Sequence, residues 1–186
     1  MGYGTSSALM FLIDTLFALY IIVLLVRVLL QFTHANFRNP LSQFVYQVTN
    51  PPLRPLSAVI PRWRHLDIPA VLLALLLCFI NIQIDGLFYP QLNTAPVLAV
   101  ALSAIKLLVM LCDLYTFSII IQAILSWVAP GAHSPATAVL WSINEPILRP
   151  VRERMPMIGG LDISPLVVII GLQVVSRLMP LHPLLR

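Results

Sequence analysis

The chain has 186 residues, of which 59% are hydrophobic and 10% charged, and its mean hydropathy is +0.93. Soluble domains average about half apolar and a quarter charged, so water is not the main solvent of this one. Its net charge of +4 is small and dispersed, and ten of its eleven basic residues are Arg, a pattern that argues against a nucleic-acid surface and for orientation in a membrane. Cys78 and Cys112 both lie in apolar runs, where they read as small buried hydrophobes rather than a disulfide framework.

Ala8 to Phe32 is an apolar run of about 25 residues, long enough to cross a hydrocarbon layer for which ~20 suffice. It is too long for a signal-peptide h-region and lacks a basic n-region, so it is expected to remain in the mature protein. Arg27, near its C-terminal end, is placed to snorkel towards headgroups, whereas Asp14 is short and deeper. Asn39-Pro40 then supplies an N-cap and a proline at the first helical position. Leu41, Phe44, Val45 and Val48 recur at helical spacing opposite Ser42, Gln43, Tyr46 and Gln47, predicting an amphipathic helix of about ten residues lying at the interface. Pro51, Pro52 and Pro55 are expected to end it in a stiff, non-helical elbow, with Leu56 to Ile60 forming a single turn before Pro61.

Asp67 predicts an N-cap for a second span reaching about Phe88, on whose far end Asn81 and Asp85 share a face. No proline or glycine interrupts the chain from Pro96 to Val128, which predicts one helix of 33 residues, roughly 50 Å long. A hairpin at Cys112-Asp113 is the competing reading, but it lacks turn residues. Ser134-Pro135 repeats the cap, Ala136, Val139, Leu140 and Ile143 repeat the apolar stripe, and a fourth span is predicted over about 162–179, capped by Asp162 or Ser164.

These elements form a duplication with an offset of 95 residues. Pro51-Pro52-Leu53-Arg54-Pro55 returns as Pro146-Ile147-Leu148-Arg149-Pro150, Pro61 as Pro156, and Leu66-Asp67-Ile68 as Leu161-Asp162-Ile163. Residues 1–90 (spans about 8–32 and 67–88) and 91–186 (spans about 96–128 and 162–179) therefore read as one supersecondary unit used twice. The expected fold is an all-α membrane protein of four transmembrane helices in two parallel repeats, each with a short amphipathic helix and a proline-rich elbow. Arg38, Arg54, Arg62 and Arg64 flank the first elbow and Arg149, Arg152 and Arg154 the second, which by the positive-inside rule puts both elbows in the cytoplasm and both termini outside. Arg177 and Arg186 mildly oppose this orientation.

The duplicated Pro-x-Leu-Arg-Pro, the prolines at 61 and 156, and the aspartates at 67 and 162 resemble the YggT family of bacterial membrane proteins, related to YlmG proteins. The second copy carries the fuller pattern: Glu145-Pro146-Ile147-Leu148-Arg149-Pro150, Gly159-Gly160, Asp162 and Ser164-Pro165. In the first, Asn50 stands for Glu145 and Arg64-His65 for the glycines. The resemblance implies a non-enzymatic inner-membrane protein tied to potassium or osmotic homeostasis. Relatives are tied to cell division, nucleoid distribution or plastid complex assembly.

Asp14, Lys106 and Asp113 are the groups that hydrocarbon should punish. The offset sets Lys106 and Asp113 on either side of Asp14 in depth and on one face of their helix. They make either an ion or proton path or an ion pair fixing how two spans meet, and the small bundle favours the pair. Arg62, Arg64, Arg152 and Arg154, with Arg54 and Arg149, are candidates for lipid headgroups, anionic lipids being the expected partners. Against this stands an architectural role, in which prolines set the re-entry angle, Asp67 and Asp162 cap helices, and Arg54 and Arg149 bind orphan carbonyls. His34, His65, His133 and His182 are too scattered for a metal site, no phosphate loop or nucleophile constellation is present, and no cofactor is expected. Trp63, Trp127 and Trp141 read as interfacial belt residues. The bilayer, further copies of the chain or membrane-protein partners are the expected associates.

Overall fold

The structure is a computed structural model that describes residues 2–60, 66–89, 92, 94–128, 134–155, 162–182 and 185, without the side chains of 2–7 and 127. Among them are six α-helices: α1 (Gly2–Phe32), α2 (Pro40–Val59), α3 (Ile68–Phe88), α4 (Pro96–Val128), α5 (Pro135–Arg152) and α6 (Ser164–Leu178). Ala8–Phe32, Ile68–Phe88 and Pro96–Ser126 are long and apolar enough to cross a membrane, and α6 is a shorter apolar helix of 15 residues. α4 runs unbroken through Cys112-Asp113 for 33 residues, so no hairpin forms there.

The predicted caps at the starts of α2, α3 and α5 are present. The Asn39 side chain accepts from the Leu41 amide at 2.9 Å, Asp67 from that of Ala70 at 3.4 Å, and Ser134 from that of Thr137 at 3.1 Å. Ser134 and Thr137 form a reciprocal capping box, which holds the chain at the entry to α5. At α6 the cap is displaced: Asp162 accepts from the Ser164 amide and hydroxyl, at 2.9 and 2.6 Å, one residue ahead of the helical boundary.

The elbow prolines correct the sequence reading. Pro51, Pro52 and Pro55 lie inside α2, and Pro146 and Pro150 inside α5, so the two amphipathic helices have 20 and 18 residues instead of about ten. Each proline removes one i→i−4 bond, freeing the carbonyls of residues 47, 48 and 51 in α2. All three residues are exposed, while Ser42, Thr49 and Leu53 on the opposite side are buried. The damage is thus confined to a face where water or headgroups can satisfy it, and the packed face keeps the helix continuous. The apolar stripe is not the packed face. Leu41, Phe44 and Val48 are exposed, and the polar Ser42 and Thr49 turn inward.

The two units build similar cores around the leucine of the repeated motif. Leu53, 0% exposed, joins α1 and α3 through Leu24, Ala70 and Ala74, and Leu148, 1% exposed, joins α4 and α6 through Ile119 and Val168. Leu29, Leu30, Tyr115 and Ile143 tie the units together. Outside these contacts the spans are apolar and exposed, as at Leu9, Phe11, Leu12, Leu16 and Leu19 along α1, the surface expected towards lipid.

Candidate functional site

Arg27 does not snorkel. It is fully buried, and its Nε donates to Asp67 Oδ2 at 2.8 Å while Nη1 donates to Thr49 Oγ1 and Asn50 Oδ1, each at 2.8 Å. The guanidinium also lies 4.6 Å from the centroid of the Tyr46 ring. One side chain of α1 therefore holds two adjacent residues of α2 and the N-cap of α3. A charge this deep is tolerated because a carboxylate and two oxygen acceptors replace its hydration. The signal that would have found it is Asp67 itself, a carboxylate kept in both copies beside apolar runs and in need of a cation.

The second unit meets the same need differently. Offset by 95 residues from Arg27 stands Gln122, whose Oε1 accepts from Asn144 Nδ2 at 2.8 Å, while Asn144 Oδ1 accepts from the Ser118 hydroxyl at 2.7 Å. Asp162 takes its cation from α5: Arg152 Nε donates to it at 2.8 Å, and Arg152 Nη1 reaches Glu145 at 3.3 Å. Arg152 also lies 5.8 Å from the Trp141 ring centroid. Burial pushes the Asp162 carboxyl up, but the Ser164 hydroxyl and amide and the Arg152 guanidinium outweigh it and hold its pKa below the ordinary value.

Within the spans, Asp14 and Lys106 are brought together through α3. Asn81 Nδ2 donates to Asp14 Oδ1 at 2.8 Å, Lys106 Nζ donates to Asn81 Oδ1 at 2.5 Å, and Lys106 lies 4.0 Å from Asp85. The shared face of Asn81 and Asp85 was visible in the sequence, but the link to Lys106 was not. Asp113 stands apart from this cluster: it is exposed and accepts from Gln173 of α6 at 3.4 Å.

Among the motif residues, Leu53 and Leu148 are buried, and Pro51, Pro55, Pro146 and Pro150 are exposed. Arg54 is exposed as well. Arg149 pairs with Glu153 at 2.8 Å instead of binding an orphan carbonyl, and it is Arg154 that donates to a carbonyl, that of Pro150, at 2.9 Å. Pro61, Arg62, Trp63, Arg64, His65, His133, Pro156, Gly159 and Gly160 lie outside the described residues, as does the Trp127 side chain.

The CCB3/YggT family matches the chain twice, over residues 6–88 and 101–183, with both bounds displaced by the same 95 residues that separate the motifs. The chain belongs to the CCB3/YggT family. A relative in Vibrio alginolyticus is 38% identical over 174 residues, covering 93% of this chain and 94% of its own. The YggT protein of Escherichia coli K12 is 36% identical over 170 residues (91% and 88%), and a Pseudomonas aeruginosa relative is 34% identical over 185 residues (95% and 90%). All three are named as uncharacterized proteins. No solved structure matches the chain. The first CCB3/YggT unit thus carries the buried Arg27 network and the second the partly exposed Arg152 network.

Proposed function

We propose that the protein is a non-enzymatic component of the bacterial inner membrane that supports ion or osmotic homeostasis and envelope organisation by assembling with copies of itself or with membrane-protein partners. In this reading two parallel units, 1–90 and 91–186, place four spans in the bilayer. Both proline-bearing helices lie on the cytoplasmic face, and both termini lie outside. α6, roughly 22 Å long at 1.5 Å per residue, crosses by local thinning and by its flanking residues.

The observation that carries the reading is the closed polar cluster. Asp14, Asn81, Lys106 and Asp85 satisfy one another across α1, α3 and α4, joining the first unit to the second, while apolar side chains face outward. Such a cluster fixes helix register and leaves the apolar perimeter for association. A second reading is a channel or transporter subunit; of the expected path through Asp14, Lys106 and Asp113, only the part at Asp14 and Lys106 is favoured, by the pairing of two carboxylates, Asp14 and Asp85, with one lysine.

Potassium flux into liposomes holding the purified chain separates the two. The scaffold reading expects no flux above protein-free liposomes, and a denaturation midpoint lowered by Lys106→Met through about 1–3 kcal/mol of lost partners for Asn81 and Asp85. Flux that Asp14→Asn abolishes while the protein stays folded overturns it. Orientation is checked with single thiols at Arg54 and Arg154 in a Cys78→Ala, Cys112→Ala background. An impermeant reagent is expected to label both from the cytoplasmic side.

A further inference from the structure

A groove of about 450 Å³ opens between α4, α5 and the start of α6. Beneath it lie the buried Ile119 and Leu148, and its lining includes Ile169, Trp141 and the polar Gln122, Arg152 and Asp162. The volume falls in the range of about 300–1,000 Å³ that small ligands occupy. In the first unit the residue aligned with Gln122 is Arg27, whose guanidinium is fully buried among α2 and the start of α3. Gln122 is shorter and is drawn to Asn144, and the cation of the second unit enters from α5, at the rim.

Three features identify an occupant. The groove lies beside the last turns of α4 and the first turns of α6, the ends that adjoin the amphipathic helix α5, so it spans the boundary between hydrocarbon and headgroups in the membrane reading above. It is flanked by Ile120, Ile124 and Leu166, which are 39, 49 and 56% exposed, so it is open sideways to acyl chains. Its lining carries Arg152 and Asp162, 2.8 Å apart, and Glu145, just beyond the lining, meets the same guanidinium at 3.3 Å; the three side chains are 29, 35 and 40% exposed. A purely anionic headgroup would have to compete with both carboxylates for the one guanidinium. A headgroup with both a phosphate and a primary ammonium finds a partner for each.

We infer that the groove binds an ethanolamine phospholipid, one acyl chain lying along Ile120, Ile124, Leu166 and Ile169, the phosphate at Arg152 and the ammonium at Asp162 and Glu145. The inference rests on the membrane placement and not on whether the protein passes ions, so a flux result leaves it standing.

The test uses the full chain with Trp141 as the sole tryptophan (Trp63→Phe, Trp127→Phe) in phosphatidylcholine vesicles. These contain the same minor mole fraction of phosphatidylethanolamine, phosphatidylglycerol or phosphatidylcholine, each brominated on one acyl chain. Brominated phosphatidylethanolamine is expected to occupy the site, and quench Trp141, about twofold to fivefold more effectively than the others, the range a partly exposed ion pair supplies. Ala123→Phe, which fills the groove without touching a charge, is expected to remove the preference. Glu145→Gln is expected to shift it towards phosphatidylglycerol. Equal quenching by all three lipids in the parent protein, stronger quenching by phosphatidylglycerol, or a preference that survives Ala123→Phe would each overturn the assignment. The parent comparison decides by itself if Ala123→Phe does not fold.

Discussion

Asp67 and Asp162 stand at the same place in the two units, yet the cation that meets each comes from a different helix. Arg27 reaches Asp67 from the span α1, and both side chains are about 1% exposed or less, whereas Arg152 reaches Asp162 from α5, with about a third of each side chain exposed. The motif therefore keeps the carboxylate and leaves the origin of the cation free. What changes is the energy stored in the pair: a buried charge left without its partner is costly, and an exposed one is rehydrated.

The largest expected effect follows directly. Arg27→Met strands Asp67, Thr49 and Asn50 together and is expected to destabilise the protein by about 3–5 kcal/mol in a reversible denaturation in detergent, whereas Arg152→Gln costs about 0–1 kcal/mol. The comparison sharpens with a graft. Ser57 is the first-unit position equivalent to Arg152, so Arg27→Gln combined with Ser57→Arg rebuilds the second arrangement in the first unit. It is expected to recover part of what Arg27→Gln alone loses. A double variant no more stable than the single one would show that Asp67 can be served only from α1.

The repeated leucines give a second, smaller contrast. Leu53→Ala opens a void in a core closed by α1, α2 and α3 and is expected to cost about 2–5 kcal/mol. Leu148 already borders the groove, so Leu148→Ala is expected to fall at or below the low end of that range, because much of the new space joins an existing opening. Denaturation midpoints of the two variants, measured together, check the order.

Much of this was readable from residues. The 95-residue register, the caps at Asn39, Asp67 and Ser134, the C-terminal end of α1 and both ends of α3 and α4 all follow from local chemistry, and local chemistry is what a sequence displays. Pro51, Pro52 and Pro55 misled because the rule that proline ends a helix weighs only the lost donors. It does not count the opposite face, where Thr49 and Leu53 hold the helix together. Arg27 misled for a related reason: its partners lie 22, 23 and 40 residues away, and nothing beside it in the chain marks it as anything but a residue near a membrane edge. Asp113 shared a helical face with Lys106, but a face does not say which neighbour covers each level of it. α3 meets Lys106 and α6 meets Asp113.

The smallest effect is the one that proton linkage isolates. The Asp162 carboxyl is held below its unfolded value of about 3.9 by Ser164 and Arg152, so the unfolded chain takes up the proton first. Its contribution is therefore complete above about pH 5 and is lost as the pH falls through about 3.9 and then through the lowered folded value. Because the side chain is about a third exposed, solvent screening keeps the share due to Arg152 within about 0–1 kcal/mol. The stability difference between the parent protein and Arg152→Gln should accordingly be largest near neutrality and close to zero once Asp162 is protonated. Glu145 shares the same guanidinium, so Glu145→Gln in both backgrounds removes its titration from the comparison. A difference that persists once Asp162 is protonated in both proteins would mean that Arg152 acts through its packing on Trp141 and not through the carboxylate.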